Sequence, residues 1–385
     1  IEQFIVSIWC GACRFVHAET VRMDSTLVRL FGWARAAGHK AIMRLFARFD
    51  MLTNERVQAE VYRWFFGKIS ALKRVTLDVD STVITRNGNQ QGAARGYNPN
   101  RHGRVSHHPL LAFVAEARMV ANFWLRPGHA HSANNILQFL ESTLHHLGDK
   151  IVGLLRADSG FFDETVLSFL EDKGIAYIVA ARLTQPLQRA LYHATGWWAL
   201  EPGLELTELR YRAAGWASER RLIVVRQSVK RKTAPGKTLS LFADDPDIQG
   251  WRYGAFVTSV DLPMVEVWRT YRGRADCENR IKELKADFGL DAFNMRDFWA
   301  TEAALGFVML AYNLMSLFRQ AVLRCRLQHT LSTLHGLVLA IGGSWHPDAS
   351  QNRLMLSVPR RKRAWFAGLW ANASAPPVTP ALHTG

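Results

Sequence analysis

The spacing of hydrophobic residues divides the chain into a helical beginning and a mixed middle part. Apolar residues three and four positions apart predict helices over residues 25–37, 40–49 and 54–70. From Val75 onward, apolar and polar residues alternate one by one, which predicts a strand over residues 75–84. Residues 1–70 therefore form a helical N-terminal region, and a sheet begins after it.

The middle part alternates strands and helices in the order β-β-β-α-β-α-β, which predicts an α/β fold. Its fourth strand is a largely apolar run that ends in Asp158, typical of a central strand buried on both faces. The strands after the first lie at residues 109–117, 119–125, 151–158 and 176–181, and the helices at residues 133–147 and 164–173.

Residues 199–262 have a different sequence pattern. Short β-prone runs at residues 205–211, 222–226 and 253–259 alternate with Gly, Pro and charged turns, so we expect a small antiparallel domain. The longest apolar run, residues 303–318, contains Asn313 and is short for a membrane span, which predicts a buried helix.

Composition narrows the class of protein. The 385 residues are 48% hydrophobic with a mean hydropathy of −0.07, as in a globular, cytoplasmic protein. Lys and Arg exceed Asp and Glu by 48 to 33, a net charge of +15, which favours nucleic acid over a membrane as partner. Four cysteines do not indicate a disulfide scaffold. The first residue is Ile1 rather than Met, which leaves room for a segment before it.

Three positions carry carboxylates suited to chemistry. Asp78 and Asp80 lie on one face of the first strand, and periodicity does not choose between them. Asp158 ends the buried strand, where the sites of α/β proteins usually lie. Glu278 lies between two cations on one face of a predicted helix, and the alternative for that helix is a solvated charged surface.

The segment 87–108 is rich in Gly, Asn and Arg and is a loop by composition. Arg95, Arg101 and Arg104 are candidates for contacts with DNA backbone phosphates. The alternative is a solvated loop without a ligand.

The helix around Glu278 carries the pattern Tyr271-x2-Arg274-x3-Glu278-x6-Lys285. It resembles the signature around the third carboxylate of bacterial insertion-sequence transposases of the cut-and-paste DDE type. Placed on one continuous helix, the four side chains share one face, and Arg280 falls on the far side.

Two further stretches carry the resemblance. Asp80-Ser81-Thr82 resembles the first aspartate box of that family and selects Asp80, with Asp78 in reserve. The run Arg156-Ala-Asp158-Ser-Gly-Phe161 resembles the second box. The three boxes occur in the required order.

The resemblance implies a ribonuclease H-like core of residues 71–198 and 263–325, interrupted by a β-rich insertion at 199–262 and followed by a basic region at 326–385. It also implies that Asp80, Asp158 and Glu278 hold two Mg²⁺ ions, for which Mn²⁺ substitutes, and catalyse DNA cleavage and strand transfer. Tyr271, Arg274 and Lys285 are then expected to bind DNA.

The implied partners are double-stranded DNA, as terminal inverted repeats and target, and a second copy of the chain on that DNA, in the bacterial cytoplasm near the nucleoid. The N-terminal helices fit either a helix-turn-helix DNA reader, which the resemblance favours, or a helical cap on the core. Two other functions stay open: a related nuclease that joins nothing, and an inactive DNA-binding repressor derived from a transposase.

Overall fold

A computed structural model describes most of the chain. The described residues are 1–69, 71–99, 101–131, 135–228, 247–248, 250–325, 327–347 and 352–374. Residues 132–134 at the expected start of one helix, residues 229–246 and 249 of the expected insertion, and residues 326, 348–351 and 375–385 of the expected C-terminal region lie outside them.

The N-terminal region is helical, as predicted. Its helices are α1 (Glu2–Trp9), α2 (Ala18–Met23), α3 (Ser25–Leu30), α4 (His39–Phe46) and α5 (Met51–Lys68). Helix α3 ends well before the predicted residue 37, and Gly32 with φ of 64° follows it in the left-handed region that favours glycine. Helix α5 begins earlier than predicted because the Asp50 side chain accepts a hydrogen bond from Thr53 N.

These helices pack on the rest of the protein. The Phe4 ring lies 5.1 Å from the Phe293 ring, and Trp9 Nε1 donates to Ala311 O at 3.0 Å. Shared burial with distant residues is what a helical cap requires, and it agrees with the second of the two interpretations of this region.

The strands are β1 (Arg74–Ser81), β2 (Ile84–Thr85), β3 (Ala94–Arg95), β4 (Val105–His107), β5 (Leu110–Val114), β6 (Met119–Trp124), β7 (Ile151–Ala157), β8 (Ala176–Ala180), β9 (Trp198–Glu201), β10 (Leu204–Tyr211), β11 (Arg220–Ser228), β12 (Asp247–Ile248), β13 (Trp251–Thr258), β14 (Gly343–Pro347) and β15 (Asn352–Leu356). Most of them form one mixed sheet in the order β6-β5-β1-β7-β8-β13-β11-β10-β9. Strands β1, β7 and β8 run parallel, with Val79 beside Ala157. Asp80, next to last in β1, and Asp158, directly after β7, therefore lie side by side at the same end of neighbouring strands.

The strands predicted within residues 199–262 are present and antiparallel, but they do not form a separate small domain. Strand β13 pairs with β8, with Val257 opposite Val179, so they extend the central sheet. The four consecutive residues Leu222 to Val225 are fully buried. Burial on both faces explains this, since an edge sheet with one solvated face would expose every second residue.

The segment 87–108 is not only a loop. Strands β2, β4 and β3 form a small antiparallel sheet, with Arg95 opposite Val105. Gly128 packs against it so closely that a Cβ atom there would lie 2.0 Å from Ser106 O. Glycine at 128 thus permits close backbone packing.

The remaining helices are α6 (Ile136–Leu147), α7 (Glu164–Asp172), α8 (Gln185–Tyr192), α9 (Met264–Arg272), α10 (Ala275–Ala286), α11 (Phe298–Phe318), α12 (Leu331–Leu334) and α13 (Arg363–Ser374). By length and composition alone, α11 with the residues up to Leu323 would suffice to cross a membrane, yet 67% of its most apolar stretch is buried inside the protein. Asn313 bonds both Val120 N and Val120 O, at 2.7 and 2.8 Å. These contacts confirm the predicted buried helix.

Glu302, on α11, offers a test of stability against pH. Burial raises its pKa to about 7, although its carboxylate accepts hydrogen bonds from Leu125 N and Asn54 Nδ2. Between the ordinary pKa and about 7 the folded state binds a proton that the unfolded state has lost, so stability falls as pH rises. Glu302→Gln should remove this loss, gaining up to about 3 kcal/mol relative to wild type between pH 5 and 8 in urea unfolding. Parallel pH profiles for the two proteins would contradict it.

Candidate active site

The first two acids of the site are fixed by local backbone contacts. Asp80 is 7% exposed, and its Oδ1 accepts a hydrogen bond from Ser81 N at 2.8 Å. Asp158 is half-buried, and its Oδ1 accepts from Gly160 N at 2.9 Å, which closes the turn after β7. The parallel pairing of β1 and β7 thus presents two oriented carboxylates side by side.

Arg274 links the first acid to the third. Its Nη2 lies 2.9 Å from Asp80 Oδ2, and its Nη1 lies 3.5 Å from Glu278 Oε1. The Arg274 side chain is only 6% exposed, whereas that of Glu278 is 56% exposed. A buried guanidinium therefore bridges a fixed carboxylate and a solvent-facing one.

The charges in this group act on one another. Burial raises the pKa of Asp80 to about 6, Arg274 opposes that rise, and Asp158 and Glu278 add to it. Burial lowers the pKa of Arg274, but the carboxylates around it, Asp80 foremost, raise it above its ordinary value. Asp158 and Glu278 are therefore both close enough to Asp80 to repel its negative charge, and Arg274 offsets part of that repulsion.

Asp78 and Asp80 have different surroundings, although periodicity left them equivalent. Asp78 is fully buried, and its two oxygens accept from Arg156 Nε and Nη2 at 2.7 and 2.9 Å. Arg156 also donates to Thr270 O at 2.6 Å. Asp78 is thus engaged in an internal ion pair, while Asp80 faces Arg274.

The stretch that carries the four-residue pattern is not one helix. Helix α9 ends at Arg272 and α10 begins at Ala275. The break lies where Gly273 faces Arg156, and a Cβ atom on Gly273 would be 2.6 Å from Arg156 Nη1. One apolar stripe of α10 packs on the core, because Cys277, Ile281 and Leu284, with Phe288 just after the helix, are all buried.

The other two residues of the pattern differ in position. The Tyr271 ring packs on Phe256 at 4.4 Å, and burial raises its pKa to about 12, with Arg274 opposing and Asp158 adding to the rise. It therefore lies beside the acids. Lys285 donates to Val83 O at 2.9 Å and lines a neighbouring cavity together with Arg101.

Three further arginines differ in their exposure to solvent. Arg95 lies on the small sheet and Arg104 in the turn before β4, and both are exposed. Arg280 is not on a solvated far side of the helix, because its side chain is 4% exposed and its Nη2 donates to Ala115 O at 3.2 Å. Helix α10 packs against neighbours on more than one face, which a single apolar stripe did not reveal.

A family model described as Transposase DDE domain group 1 matches residues 1–372. The chain belongs to this DDE transposase family. No curated protein sequence matches it. One similar solved structure is the cryo-EM structure of a piggyBac transposase synaptic complex with hairpin DNA, at 11% identity and a TM-score of 0.39, covering 68% of this chain and 51% of that one. The chain thus spans about half the length of that relative.

The DDE family implies divalent metal, so the donor set of this transposase domain is relevant. Within the described ranges, no three His, Cys, Asp or Glu side chains gather closely enough to form a metal-ligand cluster. The guanidinium of Arg274 lies between Asp80 and Glu278 instead. Carboxylate oxygens are nevertheless the donors that Mg²⁺ and Mn²⁺ prefer, and the exposed Glu278 has room to turn. The donor atoms of these residues are therefore of the kind that such an ion binds.

Sequence reasoning missed two residues that support the site. His108 Nε2 lies 3.1 Å from Ser81 Oγ and Nδ1 lies 2.8 Å from Ala130 O, while burial lowers the His108 pKa. It holds Ser81, whose backbone N binds Asp80. Arg156 holds Asp78 and the end of α9. A cation within an otherwise apolar strand was the available signal for Arg156, but His108 gave none.

Proposed function

We propose that the chain is a transposase that binds the ends of its element and catalyses metal-dependent DNA cleavage and strand transfer. The observation that carries this proposal is the group of Asp80, Asp158 and Glu278 around Arg274 at one edge of the sheet, in a chain of the DDE transposase family. We further propose that the element is a bacterial insertion sequence, since the four-residue pattern resembles that group.

The catalytic core in this proposal is ribonuclease H-like. Its support is the order β6-β5-β1-β7-β8, in which β6, β5 and β1 are antiparallel and β7 and β8 run parallel to β1, with Asp80 in the last residues of the first core strand and Asp158 directly after the fourth. Strands β9 to β13 then belong to the insertion before the glutamate helix.

Asp80, Asp158 and Glu278 would hold the metal in this proposal. When bound, divalent ions would act as Lewis acids and neutralise charge on the attacked phosphate. Ser81 and the turn at Gly160 keep the first two carboxylates oriented. Arg274 is the cation nearest these acids and is placed to hold a phosphate oxygen by a charge-assisted hydrogen bond. The Tyr271 ring lies beside this group of charges.

The proposed partner is double-stranded DNA, first the terminal inverted repeats and then the target. The net charge of +15 supports a polyanionic partner. A homodimer on the DNA follows from the need to hold two ends, and it remains part of the proposal.

The DNA that flanks the gene provides the test. Duplexes from both flanks, incubated with the protein, Mg²⁺ and a target plasmid, should yield nicks at the element ends and joined products on gels. Chelation should abolish both. Cleavage without joined products would favour the nuclease alternative, and binding without cleavage would favour a repressor.

A further inference from the structure

A polar cavity of about 670 Å³ is lined by Val83, which follows β1, and by Lys285 of α10. Four cationic side chains line it, and we call it the arginine pocket: Arg14, Arg86, Arg101 and Lys285. Asp291 is the one carboxylate among its described lining residues. The pocket therefore carries an excess of positive charge around a space large enough for a ligand group.

Arg86 is the buried cation of this pocket. It is 2% exposed, its Nε donates to His107 Nδ1 at 3.1 Å, and its Nη1 donates to Asp291 O at 2.9 Å. Its buried Nη2 has no hydrogen-bond partner in the part of the chain that the structure describes. A buried charged donor left unpaired is costly, so a ligand acceptor at Nη2 would be bound favourably.

His107 orients Arg86 without adding charge. Burial lowers the His107 pKa to about 4, so the ring is neutral near pH 7. With Nδ1 accepting from Arg86, Nε2 donates to Gln91 O at 3.0 Å. The guanidinium is thus held by two fixed acceptors, and its Nη2 is left without a partner among the described residues.

The pocket adjoins the acid group. Lys285 Nζ bonds Val83 O, and Val83 closely follows Asp80 in the chain. Burial lowers the pKa of Lys285, and the negative charges of Asp291 and Asp80 oppose that lowering. A DNA strand passing the acids would bring its neighbouring phosphates to this side of α10.

We propose that the arginine pocket binds one phosphate of the DNA backbone next to the cleavage site. Planar guanidinium groups match phosphate oxygens in pairs, and the polar lining suits an anion rather than an apolar group. The DNA source of the phosphate rests on the proposed function. The fold brings these cations to one cavity from different parts of the chain: Arg14 near its start, Arg86 and Arg101 in the middle, and Lys285 on α10.

The first test uses exposed residues, to avoid misfolding. The Arg14→Gln/Arg101→Gln double variant should bind a fluorescent duplex from the gene's flank roughly 10- to 100-fold more weakly by anisotropy. The matched control, Arg189→Gln/Arg210→Gln, removes two exposed arginines outside the pocket and should change affinity less than about threefold. Equal losses in the two double variants would overturn the proposal.

The second test locates the phosphate. Duplexes that carry one neutral methylphosphonate linkage, moved along the strand, should lose affinity for wild type at one linkage near the cut. At that linkage the wild type and the pocket variant should bind equally. The proposal would be overturned if no linkage showed this loss of affinity. It would also be overturned if the pocket bound inorganic phosphate but made no linkage-specific contribution to DNA binding, since its ligand would then be a free ion.

Arg86 supplies an independent check. Arg86→Lys keeps the charge but loses the Nη2 edge, and it should reproduce the linkage-specific loss once urea unfolding confirms a folded protein. A folded Arg86→Lys protein with wild-type linkage dependence would refute the role of Nη2. Nicking is measured on the same duplex: linkage dependence without nicking would refute only the proposed cleavage function, and nicking without linkage dependence would refute only the pocket.

Discussion

Asp80→Asn, Asp158→Asn and Glu278→Gln should each reduce DNA cleavage by at least about 10³-fold, because each removes a carboxylate from the proposed metal site, whose contribution is worth several kcal/mol. Affinity for duplex DNA should change by no more than a few fold, since these acids do not contact DNA in the proposal. Gel nicking assays with Mg²⁺ measure the first quantity, and anisotropy with Ca²⁺ measures the second.

Asp276→Asn is the matched control for Glu278→Gln. Asp276 lies in the same first turn of α10, its side chain is 62% exposed, and its nearest cation is Arg280 at 3.8 Å. Its removal should leave cleavage within a few fold of wild type. A loss as large as that of Glu278→Gln would mean that the turn needs negative charge in general rather than one particular acid.

Asp78→Ala should lower the free energy of unfolding by about 3–5 kcal/mol, because it leaves the buried Arg156 guanidinium without its carboxylate. Urea unfolding measures the loss. Asp149→Ala is the comparison, since the exposed pair of Lys73 and Asp149, 3.3 Å apart, should be worth under about 1 kcal/mol. Similar losses from both variants would show that burial of the Asp78 pair adds nothing.

The same position tests the choice of the first acid. Asp78→Asn keeps one of the two acceptor oxygens that face Arg156, so it should be less disruptive than Asp78→Ala and leave a folded protein that cleaves DNA. If that folded variant were inactive while Asp80→Asn cut normally, the first catalytic acid would be Asp78.

Local patterns predicted what depends on local periodicity. Alternation located β1, and a buried apolar run located β7 and the position of Asp158 after it. The break between α9 and α10 was not predicted, because the close approach of Arg156, on β7, to Gly273 is a contact between distant segments. The pairing of β13 with β8 and the placement of Arg14 and Arg86 around one cavity depend on contacts between distant segments. Residue spacing carries no signal for such contacts.

A chain that is still on the ribosome has made α1 long before α11. Until Phe293 and Ala311 emerge, Phe4 and Trp9 lack part of the surface on which they pack, so part of an apolar helix stays accessible to chaperones. Glu278 also emerges late, after both aspartates. A nascent chain that ends before Glu278 therefore lacks the third acid of the proposed site, and we expect it to be unable to cleave DNA until that residue has been made and folded.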